Sequence, residues 1–285
     1  MSGRDTNFYY SFLVLPSEKR RAIVAVWDFC RAVDDAVDEA PAPIAPEDPR
    51  SAPAQLARWR GELDACYGAG RPQTPQGVNL VPFIRRFSLP REAFDAVIEG
   101  VAMDLDRSRY QTFDDLREYC LRVASAVGRL CIEIFGYTDQ RTRDYARDLG
   151  IALQLTNIIR DIGPDLARGR IYLPLEDLAR HGCTEEGLRA GVVSESVRNL
   201  LAFECRRARE FYEKAEHELP RADRRGMVAA RIMAGIYHAI LERIERSGYQ
   251  VFGEKVRVPR PRRAVIAATL WARALLEPRA VSRKP

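Results

Sequence analysis

Apolar residues recur at spacings of three and four through most of the chain's 285 residues, and alternating β-branched runs bounded by turns are nearly absent. That single period leaves one broad architecture, an all-α bundle. Ser17, after Pro16, reads as the N-cap of a helix reaching Glu39. Further helical patterns lie near 55–68, 90–104, 113–136, 139–163, 174–190, 194–218 and 222–247. Two loops interrupt them, "APAPIAPEDPRSAPA" and "YGAGRPQTPQG". Neither half of the chain reads as self-sufficient, so residues 1–285 are taken as one domain. No repeat of roughly 20–50 residues points to a solenoid.

Hydrophobic residues make up 46%, enough for a sizeable core. No apolar run is long enough to span a bilayer, and "MSGRDTNFYYSF" lacks the pattern of a signal peptide. The six cysteines form no CxxC pair, and the three histidines complete no zinc pattern. Reduced thiols in a cytoplasm are expected. Any metal should be a hard cation held by oxygen. The net charge of +5 is uneven. Residues 254–285 hold nine Lys/Arg against Glu254 and Glu277, a basic tail of +7, so residues 1–253 sum to −2.

The helix ending "WDFCRAVDDAVDEA" gathers four carboxylates at its end, Asp34, Asp35, Asp38 and Glu39. With Asp34 at 0° on a helical wheel, Asp38 falls at about 40°, Trp27 at about 20°, Ile23 at about −20° and Cys30 at about −40°. Asp34 and Asp38 thus share the inward arc with apolar residues, while Asp35 and Glu39 point away. Two carboxylates about 6 Å apart along one helix axis repel and lose hydration. Arg31, on the same face, does not balance both. A second stretch, "LQLTNIIRDIGPDLARGRIYLP", repeats the arrangement. Gln154, Asn157, Asp161, Asp165 and Gly150 form one stripe flanked by Ile151, Leu155, Ile158 and Ile162. A buried hydrogen-bonded network accounts for Gln154 and Asn157, but not for inward carboxylates in two pairs. Two facing DxxxD helices offer a cage of oxygens suited to Mg²⁺, which keeps several waters and is completed by substrate phosphate oxygens. A diphosphate ester is the natural ligand, with Arg31, Arg160 and Arg170 neutralising the remaining charge.

The chain resembles the squalene/phytoene synthase family, whose members join two prenyl diphosphates head to head. The resemblance runs from about Asn7 to Val251. It rests on "NFYYSFLVLP", "FCRAVDDAVDE", "MDLDRSRYQTFDDLREYCLRVASAVGRL" and "LQLTNIIRDIGPDLARGRIYLP". It is nearest to the bacterial presqualene diphosphate synthases of the hopanoid route, with phytoene synthases next. The resemblance implies a class I isoprenoid synthase helical bundle with a central cavity. It makes Asp34 and Asp38 the first metal motif, and Asp161 and Asp165, with Asn157, the second. Tyr119 matches the catalytic tyrosine. Arg31, Arg160, Arg170 and Tyr172 match diphosphate-binding positions, and Phe8, Gln154 and Tyr237 match cavity-lining ones. Three positions depart from the pattern. Pro164 replaces the usual Glu of the second motif, Trp27 stands where many members carry tyrosine, and "DTN" precedes Phe8 in place of a serine-rich stretch.

Condensation of two farnesyl diphosphates to presqualene diphosphate, with Mg²⁺ and without NADPH, is the expected activity. Trp27 takes up pocket volume and favours the shorter substrate. Phytoene synthesis from geranylgeranyl diphosphate and a non-catalytic prenyl-lipid binder are the alternatives. The basic tail, with "RRAVIAATLWARALL", is expected either to touch anionic lipid peripherally at the inner membrane or to dock on the bundle. Squalene-pathway enzymes are the implied downstream partners. Nucleic acid is disfavoured, since the tail lacks interleaved aromatics.

Overall fold

The structure is a computed structural model that describes residues 9–40, 48–68 and 70–277. All of its regular elements are helical, apart from a lone bridge between Arg109 and Ile171. A short α1 (Tyr9–Leu13) precedes α2 (Ser17–Asp38), which matches the expected span. Ser17 is its first helical residue, not its cap. Pro16 holds the cap position, with no side-chain bond to the helix end. Proline fixes an extended entry and its missing N–H is no loss there.

Helices α3 (Ala52–Tyr67) and α4 (Pro75–Phe87) pack on the outer side of α2. α4 was not expected, because Gly77 and Pro82 interrupt its pattern. It forms because Thr74 caps it, accepting from Gly77 N at 3.0 Å, with Pro75 at the first position. Buried Glu62 on α3 fixes its start, accepting from Gln73 N and Thr74 N at 2.9 and 2.8 Å. Leu80 and Ile84 then face the core.

The expected helix over 113–136 is α6 (Phe113–Cys120), a π turn over Leu121–Ser125, and α7 (Ala126–Phe135), in one run after α5 (Arg91–Asp106). The π turn lies against Gly150 on α8 (Arg141–Arg160). A Cβ added at Gly150 would meet the Ser125 Cα at 2.6 Å, so only glycine allows this approach. α8 stops at Arg160, short of the expected 163. Asp161 leaves helical geometry, and α9 (Ile162–Ala167) starts afresh. Pro164 therefore sits in a first turn and breaks no bond.

After α10 (Leu175–Arg180) and α11 (Glu185–Arg189), α12 (Glu195–Glu218) lies along the far side of α8, and α13 (Val228–Arg246) against its near side. The last helix, α14 (Arg260–Leu275), packs on α13 and α1. Ile232, Ile236 and Ala267 form a small separate core there. The basic stretch is thus not a free tail through residue 277. Lys255 to Arg260 line the central cavity, and much of the charge beyond them is spent on the bundle. Arg262 pairs with Glu242 at 2.8 Å, and Arg263 is buried over the Tyr10 ring. No described helix is long and apolar enough to cross a membrane. All six cysteines are free thiols.

Candidate active site

A cavity of about 950 Å³ runs between α2, α5, the π turn, α7, α8 and α13. Its deep wall is apolar, with Val97, Val101, Val127, Leu149 and Leu153, and small residues at Ala124, Gly128 and Ala146. Its mouth carries the charge. Asp34 and Asp38 come from α2, and Asp161 and Asp165 from the break between α8 and α9; all four line the cavity. Trp27, Gln154 and Tyr237 line it too. Phe8 lies outside the described residues.

The expectation for Asp35 and Glu39 needs correction. Both line the cavity's edge instead of pointing away. The wall there is wide enough that azimuths of about 100° and 140° still reach it. Arg31 is exposed and pairs with Asp35 at 3.2 Å, so it stands on the rim.

The carboxylates fall into two kinds. Asp38 accepts from Arg170 at 2.7 Å and from Arg168 at 3.0 Å. Asp161 accepts from Arg160 at 2.9 Å and pairs with Lys255 at 2.9 Å. Burial works to raise the Asp161 pKa, but bonds from Arg160 and Lys255 outweigh it and hold it below the usual range. Among the described residues, the other two have no such hydrogen-bond partner. Burial, then the charges of Asp38, Asp35 and Asp104, push Asp34 up to about 6. Burial, then Asp161, push Asp165 up to about 7. Asp34 has substantial accessible surface, yet that surface faces the cavity and not bulk water, so the loss of hydration is real.

Behind the carboxylates stands a group of three tyrosines. Ring centroids lie 5.2 Å apart for Tyr119 and Tyr172, and 5.6 Å for Tyr110 and Tyr119. Asp104, near the end of α5, holds two of them. Tyr119 Oη donates to its Oδ2 at 3.1 Å, and Tyr172 Oη donates to its Oδ1 at 2.8 Å. Burial, then the Asp104 charge, push the Tyr119 hydroxyl well above its usual pKa. Burial likewise raises Asp104.

Asp104, Arg168 and Lys255 were missed in the sequence. Asp104 carried a usable signal, since Val97, Val101 and Asp104 share one face of α5. Arg168 and Lys255 carried none, because both lie beyond the helices whose periodicity could place them.

Hard oxygen donors at this mouth suit a divalent cation. Asn157 lines the cavity, and its buried Oδ1 has no hydrogen-bond partner. Among the described residues, however, no three His, Cys, Asp or Glu side chains converge tightly enough to hold an ion alone. Oxygens from a ligand would have to complete the shell.

An all-α bundle around an apolar cavity whose mouth joins two Asp pairs to a set of cations is the design of an isoprenoid synthase. The chain belongs to the squalene/phytoene synthase family, whose model matches residues 1–273. It is 38% identical over 279 residues to a 15-cis-phytoene synthase of Synechocystis, covering 94% of this chain and 81% of that one. Among solved structures it is similar to squalene synthase HpnC from Alicyclobacillus acidocaldarius, with TM-score 0.76, 33% identity, and 86% and 90% of the two chains covered. It is also similar to a dehydrosqualene synthase solved with a ligand, with TM-score 0.83, 26% identity, and 96% and 93% covered.

Proposed function

We propose that the protein condenses two prenyl diphosphates head to head in a Mg²⁺-dependent reaction, and that its substrate is farnesyl diphosphate. The observation that carries this is the pairing of two facing carboxylate pairs with Arg160, Arg168, Arg170 and Lys255 at the mouth of one apolar cavity. Asp34, Asp38, Asn157, Asp161 and Asp165 would hold the cations together with diphosphate oxygens. Bound there, Mg²⁺ supplies Lewis-acid stabilisation of the departing diphosphate.

The chain's own residues do the rest. The guanidiniums of Arg31, Arg160, Arg168 and Arg170 bind and orient the diphosphates by charge-assisted hydrogen bonds. The Val and Leu walls hold the prenyl chains and exclude water, so the allylic cation meets no competing nucleophile. The faces of Tyr119 and Tyr172 steady that cation by roughly 0.5–2 kcal/mol each. Tyr119 keeps its proton, since a phenolate beside Asp104 is disfavoured. Its Oη lone pair can accept the proton released as the cyclopropane closes, passing its own to Asp104. Two farnesyl diphosphates then give presqualene diphosphate, diphosphate and one proton.

Trp27 on the cavity wall favours the shorter chain, and the likeness to squalene synthase HpnC points the same way. A second reading, phytoene from two geranylgeranyl diphosphates, is favoured by the similarity to the Synechocystis phytoene synthase. Incubation with each substrate and Mg²⁺, followed by mass analysis, separates them. Presqualene diphosphate, unchanged by NADPH, is expected. Phytoene at a higher kcat/KM would replace this substrate, and binding without turnover of either would leave only a prenyl-lipid binder.

A further inference from the structure

Arg109 does not line the cavity, yet it grips the loop that carries two of the site's guanidiniums. It sits in the short segment that joins α5 to α6. Its Nε and Nη2 donate to the two carboxylate oxygens of Glu185 at 2.7 and 2.8 Å. Its Nη1 donates to the Gly169 carbonyl at 2.6 Å and to the Ser108 carbonyl at 2.7 Å. One planar fork thus joins three segments of chain. Glu185, the first residue of α11, also accepts from Arg189 at 2.8 Å, and buried Leu188 anchors that helix. The bond from Arg109 holds the Glu185 carboxyl below its usual range, so it is charged at neutral pH.

The loop that Arg109 grips ends α9. Gly169 N donates to Leu166 O at 3.0 Å and Arg170 N to Asp165 O at 2.9 Å, a Schellman turn with Gly169 at φ 76°. A Cβ at Gly169 would meet nothing within 4 Å, so the turn needs glycine for its backbone angle and gets no packing from it. Pairing with the neighbouring segment starts just beyond Arg170. Ile171 N donates to Ser108 O and Leu175 N to Tyr110 O, each at 2.9 Å. Buried Tyr110 stacks on Tyr172, with ring centroids 5.8 Å apart. Arg170 stands between turn and pairing, and its Nη1 reaches Asp38 at 2.7 Å. The Gly169 carbonyl belongs to the peptide group that enters Arg170, so fixing it fixes the backbone from which that side chain departs. With side chains 22% and 28% exposed, the Arg109–Glu185 pair adds modestly to stability, and its main effect is geometric.

We propose that Arg109 is a positioning residue for the diphosphate site: by clamping the Gly169 carbonyl to Glu185, it sets where Arg170 stands at the cavity mouth. The inference rests on the reading of Arg170 as a diphosphate-binding residue. A guanidinium suits the task, because four of its five N–H groups are used in directions that span a carboxylate and two carbonyls. A lysine ammonium is a single point and cannot reach all three. A loosened turn lets Arg170 swing, and part of the binding energy of diphosphate then goes into ordering it again.

Binding of inorganic diphosphate with Mg²⁺, read by calorimetry, tests this apart from turnover. Arg109→Gln should weaken that binding by about tenfold or more, the range for residues that orient ligating groups. KM for the prenyl diphosphate should rise by a similar factor while kcat falls less. Arg109→Lys should restore neither value. In an Arg170→Gln background, Arg109→Gln should change binding less than about twofold, because the two share one effect. Should Arg109→Gln unfold at the assay temperature, Glu185→Gln loosens the same clamp and should shift binding in the same direction. Wild-type affinity in the folded variant, or a full further loss in the Arg170→Gln background, would overturn the clamp alone. A wild type that binds no diphosphate would overturn the proposed reaction along with it.

Discussion

Asp104 holds Tyr119 and Tyr172 with one carboxylate, and in the proposed reaction it also receives a proton. Asp104→Asn keeps the shape but replaces an acceptor oxygen with a donor that faces a phenol. It should lower kcat by about 10²–10⁴-fold, the range for a proton-handling group. Tyr119→Phe should lower kcat by a similar factor if the hydroxyl carries the proton, and far less if only the ring acts. Steady-state kinetics with farnesyl diphosphate decides between them. Asp34→Asn or Asp161→Asn should cut turnover at least about 100-fold with the fold intact, since metal-bound charge stabilisation contributes several kcal/mol. Near-normal activity at saturating Mg²⁺ would sink the metal assignment. Asp35→Asn should cost less than Asp34→Asn. Asp35 is on the rim and already paired with Arg31, yet it is closer to the site than its helical angle suggested. At this scale the sequence was informative wherever a periodic helix carried the residue. Asp34, Asp38, Gln154 and Asn157 could be aimed from their angles alone. Lys255 could not, because nothing local says where an extended strand of chain will cross.

Among the elements, α8 and the π turn depend most on each other. The Gly150 contact with Ser125 leaves no room for a methyl group, and the obstacle is backbone that cannot swing aside. Gly150→Ala should therefore destabilise by about 1–3 kcal/mol despite its better helix propensity, and lower Tm accordingly. A stability gain, seen by calorimetry, would mean the helices separate easily. The π turn itself was not legible. Its residues, "LRVAS", fit an α-helix, and only the facing surface of α8 explains the extra residue in the turn. The stop at Arg160 was half legible. Pro164 announced a disturbance, but it falls after the break and starts a new helix. α4 was hidden for the opposite reason, since its proline and glycine argued against a helix that its cap and Glu62 secure.

Across the whole molecule, the mouth of the cavity gathers more like charge than stability alone would keep. A carboxyl whose folded-state pKa lies above its unfolded value binds its proton more tightly when folded. Folding is then penalised at pH above the folded value, and the penalty lifts as pH falls toward the unfolded one. For Asp165 that window runs from about 7 down to the ordinary carboxylate range near 4. Asp165→Asn should therefore raise the Tm of the metal-free protein at pH 8 and leave it nearly unchanged at pH 4. Solvent in the cavity screens the repulsion, so a gain of about 1 kcal/mol, or roughly 2–4 °C, is expected. Melting curves of the variant and wild type at the two pH values isolate this group. An equal difference at both would assign the effect to packing. The helical class was plain from the period of the sequence. The fate of the basic segment was not, because charge composition does not distinguish a solvated tail from one laid across a bundle.

The cations that balance the site come late in the chain. Asp38 is 132 residues ahead of Arg170 and 130 ahead of Arg168, and Asp161 is 94 ahead of Lys255. Within α2 only Arg31 answers this charge, through Asp35, whereas Asp38 waits for Arg168 and Arg170. Contacts of such separation each close a long loop of chain, at a cost in conformational entropy. The charge balance at the mouth therefore depends on segments from both ends of the chain meeting in one place.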